Sequence, residues 1–157
     1  MPDESTRQAA QEFLAEKLAE ENRRNEDKLN EEAASALSLQ VWKRFRDAIF
    51  AQCKEWNSVT QEETLTCKET PLGDLRIWCP ARSKQMTVHY DSRKLLVTLK
   101  NAGRLEHEKD VVLHMEGYWT GSARDARLTR NDQPVNVDAL LLGELRVLTG
   151  IGRQRTS

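Results

Sequence analysis

His89 and His114 come nearest to a reactive pattern in this sequence, with Glu116 two positions beyond His114. Alternate residues of a strand share a face, so His114 and Glu116 would point the same way. A neighbouring strand carrying His89 would complete a three-ligand set of the kind that holds zinc. The expected strand order tells against it. A simple meander puts at least one strand between the two histidines, about 10 Å of separation, which is too far for one ion. His107, within LEHEKD, reads as a loop residue. Neither a metal site nor a cofactor is expected.

Cys53, Cys67 and Cys79 form an odd set with no CxxC spacing and no grouping with histidine. That argues against a disulfide scaffold and against a zinc ribbon. Each falls in apolar alternation or on an apolar helix face, where a thiol usually packs. Nucleophilic catalysis needs a nucleophile, a base and a group that orients the base. There is no GxSxG elbow, and Gly117, Gly121, Gly143, Gly150 and Gly152 fit neither a P-loop nor a dinucleotide fingerprint. Carboxylate pairs can be assembled by a fold without any sequence spacing, so general acid–base chemistry stays open. No catalytic residue is assigned, and the chain reads more as a binding module than as an enzyme.

Bulk properties bound the partners. The chain has 157 residues, 31% of them charged and 38% hydrophobic, with four tryptophans and a net charge of −1. This suggests one ordinary core diluted by a solvated extension. Near-neutral charge gives no general attraction to nucleic acid or to an acidic membrane. The charge is uneven, however. Residues 1–37 hold ten acidic and five basic side chains, leaving the remainder at about +4. No apolar run approaches the ~20 residues a bilayer demands, and the polar, acidic N-terminus lacks the layout of a secretory signal. No membrane contact and a reducing, cytoplasmic setting are the expectations.

Those side chains must be positioned by helix first and strand afterwards. Ser5 and Gln8 have capping-box spacing, so a helix is expected to start near Thr6. No glycine or proline follows until Pro71, and good helix formers dominate up to Asn57-Ser58. An unbroken helix over 6–56 would measure about 75 Å, whereas a compact body of this size is only about 40 Å across. The helix must protrude, bend back or fray. Its second half carries Leu37, Val41, Trp42, Phe45, Ile49, Cys53 and Trp56 at helical spacing, which makes it the core helix. Its first half carries Leu18 and Leu29 eleven positions apart, with Asn22 and Asn25 in the seam between them. Asparagine on such a seam sets register and partner number in coiled coils at a cost in stability.

After residue 60 the apolar period becomes two. Five strands are expected around Leu65–Cys67, Leu75–Cys79, Met86–Tyr90, Leu95–Leu99 and Val111–Met115, and a sixth near Ala126–Thr129. Short connections favour antiparallel hairpins. A four-residue loop over 91–94 would set Tyr90 opposite Leu95 and Val88 opposite Val97. A short closing helix is expected from about Asp138, capped by Asn136 or Asp138 and ended by Gly150. The fold class is therefore α+β: a long N-terminal helix, a five- to six-stranded antiparallel sheet and a short C-terminal helix. The division is a charged helical arm over 1–37, an α+β domain over 38–150 and a flexible tail over 151–157.

Three surfaces follow. Leu18, Asn22, Asn25 and Leu29 on the arm, with Trp78, Leu96 and Val112 on the outer face of the sheet, form the expected interaction surface of a self-associating or protein-binding module. Apolar residues on a second sheet face call for cover: the closing helix, the arm or another copy. The alternative is a small-molecule pocket between helix and sheet bounded by Trp42, Phe45, Tyr90 and Trp119. Last, Trp78 with Arg76, His89 and Lys100 could stack single-stranded nucleic acid, against which the acidic arm stands.

Overall fold

The computed structural model describes residues 3–151 of the chain. One helix, α1, runs from Glu4 to Thr60, 57 residues or about 85 Å. Its cap is Asp3, whose carboxylate accepts from the Ser5 backbone N–H at 3.3 Å; the Ser5–Gln8 box expected from sequence thus starts two residues past the cap, within the first turn. The helix ends where Gln61 turns left-handed, at φ 58°. Asn57 fixes the exit by gripping Leu65 twice, donating to its carbonyl at 2.8 Å and accepting from its N–H at 2.9 Å.

Seven antiparallel strands follow in simple meander order: β1 Thr66–Glu69, β2 Leu75–Cys79, β3 Lys84–Asp91, β4 Leu96–Asn101, β5 Val111–Trp119, β6 Arg124–Arg130 and β7 Gln133–Pro134. The expected five to six strands become seven because of the two-residue β7, which has no alternation to reveal it. Proline is admitted there because an edge strand can spare an N–H. Asn131 and Asp132, both left-handed, make the tight turn that returns β7 onto β6.

The β3–β4 register also differs from expectation. Tyr90 pairs with Val97, Val88 with Leu99 and Met86 with Asn101. The loop begins one residue later, because Asp91 accepts from the N–H groups of Arg93 and Lys94 at 3.0 Å each and Leu95 turns left-handed. A two-residue slip keeps every side chain on its expected face.

Helix α2 spans Val137–Thr149, capped by Asn136 at 3.1 Å to the Ala139 N–H and closed by left-handed Gly150. Both helices lie on the same face of the sheet. Phe45 and Ile49 of α1 and Leu141, Leu145 and Leu148 of α2 share one core with Leu75, Ile77, Met86, Val88, Leu99 and Leu113. The alternative in which the closing helix covers Trp78 from the other side is thereby overturned. Side chains too small to fill space let the helix approach: a Cβ on Gly117 would strike the Asn30 carbonyl of α1.

A buried polar cluster fastens α2. Glu144 accepts from Arg104 at 2.8 Å and from Asn101 Nδ2 at 3.0 Å, while the same Asn101 amide donates to the Glu144 carbonyl at 2.8 Å. Asn101 Oδ1 in turn accepts from the Gly103 N–H at 2.9 Å. The carboxylate is nearly dry, so its partners satisfy a charge that would otherwise be costly to bury.

Candidate functional site

Contacts between α1 and the sheet begin at Glu26. Arg124 of β6 donates to Glu26 at 2.8 Å and to Asn30, and lies over the Trp119 ring at 5.2 Å from its centroid. The Arg124 guanidinium holds the Glu26 carboxyl below the usual carboxylate range. Residues 4–25 continue beyond this clamp as about 33 Å of helix that leans on nothing among the described residues. Leu18, Asn22 and Asn25 are exposed there, and Leu29, although past the clamp, faces solvent as well.

The outward seam does not stop where the helix docks. At 100° per residue, Leu18, Leu29, Ala36, Leu39 and Phe50 fall within a sector of about 80°, opposite the sector that buries Ala34, Ser38, Phe45 and Ile49. Leu18 is 51% exposed, Leu29 46%, Leu39 52% and Phe50 38%. Sequence reasoning stopped this seam at Leu29. A signal for its continuation was present, since Ala36 follows Leu29 and Phe50 follows Lys43 by one heptad each.

The outer face of the sheet is divided. Lys68, Arg76, Thr87 and Lys100 are cross-strand neighbours in one row over β1–β4. Trp78, between Thr66 and Gln85, lies on one side of that row. Leu96, beside Asp91 and His114, and Val112, beside Thr98, lie on the other. Trp78 and Val112 are 37% and 38% exposed, and three strand spacings, about 14 Å, separate them. These three residues share a face without forming one patch.

Of the expected pocket residues, three meet and one does not. Trp42 stacks on Tyr90 with centroids 5.4 Å apart and touches Phe45 at 6.4 Å; the Tyr90 hydroxyl donates to Ser38 Oγ at 2.8 Å. Trp42 and Phe45 are core residues. Trp119 is exposed at the Arg124 clamp.

A cleft of about 940 Å³ opens at the opposite end of α1, between its last two turns, α2 and the 3-10 turn Pro80–Arg82. Trp56, Val59, Ala81, Leu142 and Ile151 give it an apolar lining. Its rim is polar. Gln52 donates to the Asp138 carbonyl at 2.9 Å, and Arg82 reaches the Thr149 carbonyl at 3.4 Å. Sequence periodicity assigned Trp56 to the core face and gave no sign that the helix outruns its cover there.

The remaining reactive side chains are dispersed. His89 Nδ1 lies 2.6 Å from Asp74 Oδ1, and β4 separates it from His114. The neighbouring Cys67 sulfur of β1, and after it burial, push the Cys53 thiol of α1 up. Among the described residues no group of three or more potential ligands could hold a metal, and no helix is long and apolar enough to cross a membrane. No family model matches the chain, nor does any curated protein or solved structure.

Proposed function

We propose that the protein is a non-catalytic interaction module that self-associates through α1. The observation that carries this reading is the exposed leucine seam along the outward face of α1, extended by a clamped arm that its own body leaves uncovered. A helix draws most of its stability from packing an apolar face, so covering the arm's apolar residues stabilises both the arm and the contact. The outer sheet face adds less support, because basic and threonine side chains divide its apolar residues.

Sedimentation equilibrium at tens of micromolar is the test. The expected result is a dimer or higher species that shifts to monomer in the double variant Leu18→Asp, Leu29→Asp. A native chain that is monomeric at that concentration, or a double variant that associates as the native chain does, overturns the reading.

The cleft favours a second reading, a small-molecule binder. Its volume suits a drug-sized ligand with an apolar body and a few polar contacts at one rim. Trp56 lines it, so ligand titration should change tryptophan emission in the native chain and not in Trp56→Phe; an unresponsive cleft across a panel of apolar molecules would remove the support.

A further inference from the structure

We propose that two copies pair through the outward faces of α1 as an antiparallel helix pair, with a twofold axis passing between Glu32 and Ala36. The proposal rests on the self-association reading and names its partner, orientation and register.

The seam residues are complementary to themselves in one alignment. Antiparallel pairing about that axis sets Leu18 opposite Phe50 and Leu29 opposite Leu39, so four of the five exposed large apolar residues of the seam meet one another. Asn22 then faces Arg46, Asn25 faces Lys43 and Glu32 faces Ala36, and the one like-charge layer in the seam is Glu21 with Asp47, both at its solvated edges. Toward its ends Lys54 of each copy faces Leu14 of the other, where the aliphatic stem of the lysine can lie along the leucine.

Competing alignments fail on the same side chains. A parallel, in-register pair would stack Glu32, Lys43 and Arg46 each on its own copy, three repulsive layers in a short coil. Sliding the antiparallel pair by a heptad sets Leu18 against Lys43 and Leu29 against Glu32 in one direction, and Leu29 against Arg46 in the other. Asn22 and Asn25 exact their usual cost for any register that buries them against aliphatic carbon.

Size and shape also agree. Overlap from Leu14 to Lys54 covers about 61 Å, and at a helix width of ~10 Å that strip is roughly 600 Å² per partner, toward the ~800 Å² of a stable interface. Each sheet packs on the inner face of its own α1, so the two bodies fall on opposite sides of the helix pair. Each arm then lies along the docked half of the other chain's helix.

The test is disulfide mapping in the full-length chain. Under mild oxidation the double variant Leu18→Cys, Phe50→Cys should give covalent dimers with an 18–50 linkage, as should Leu29→Cys, Leu39→Cys with a 29–39 linkage. Leu18→Cys alone should remain uncrosslinked; its crosslinking to its own copy indicates a parallel pair and overturns the proposal. A chain that sediments as a dimer yet forms neither linkage loses this register and keeps the self-association reading, whereas a monomer loses both. Charge swaps on exposed residues cover the case in which cysteine variants misfold. Asp47→Lys, which turns the Glu21–Asp47 layer into opposite charges, should tighten dimerisation about two- to tenfold, and adding Glu21→Lys should cancel the gain; no tightening overturns the alignment.

Discussion

The two halves of α1 are equally helical, yet the first is mostly charge and amide, the second carries an apolar stripe, and they live in different environments. From Ala34 to Cys53 the inner face is buried against the sheet and α2. From Glu4 to Asn25 every residue but Glu20, which Arg23 and Arg24 partly cover, is exposed within one chain. The difference teaches that helix propensity sets conformation here, while burial sets stability. Propensities differ by less than about 1 kcal/mol per residue, whereas a buried phenylalanine contributes several times that.

The largest expected contrast tests that statement directly. Phe45→Ala should destabilise the domain by about 3–5 kcal/mol, because the surrounding core collapses only in part around the void. At dilutions that separate copies, Leu18→Ala should change urea stability by less than about 0.5 kcal/mol. Comparable losses would mean that the arm is packed within a single chain.

Glu144→Ala probes the opposite kind of anchor, polar instead of apolar. It strands the Arg104 guanidinium, now buried and paired, and should cost about 3–5 kcal/mol, read by denaturant midpoint at neutral pH. A near-neutral result would show that water reaches Arg104 readily.

Gly117→Ala sharpens the boundary between docked helix and arm. The added methyl meets helix backbone, which cannot rotate away, and should cost about 1–3 kcal/mol. Hydrogen exchange should quicken most near Asn30, and an unchanged pattern would mean that the helix shifts without loss.

The smallest effect concerns the clamp itself. Glu26 has its carboxyl lowered in the fold, so the contact with Arg124 is complete above the ordinary carboxylate range and is lost as pH falls through the depressed value. Exchange protection around residues 26–30 should therefore drop in acid, and Arg124→Ala should abolish that pH dependence while barely moving global stability.

Periodicity made much of this legible. Alternation in Leu75–Cys79, Met86–Tyr90 and Val111–Met115 is local and survives any register, so strand faces could be read before strand partners. Asn136 and Gly150 were readable as caps because capping chemistry acts within a turn. The β3–β4 loop was misplaced by one residue because the Asp91 side chain, and not the hydrophobic pattern, chose where the strand ended. The cleft was invisible for a different reason: it is a gap between Trp56, Ala81 and Leu142, which belong to three elements.

By itself, then, the sequence determined one uninterrupted helix, a run of hairpin-linked strands and a closing helix, together with the Leu18–Leu29 seam. Each of these follows from interactions that reach only a few residues along the chain. Tertiary structure alone decided that both helices share one sheet face, that Arg124 clamps Glu26, that Glu144 is enclosed by Asn101 and Arg104, and that Trp78 stands apart from Val112. Those outcomes depend on which distant segments compete for the same surface, and no local spacing encodes that competition.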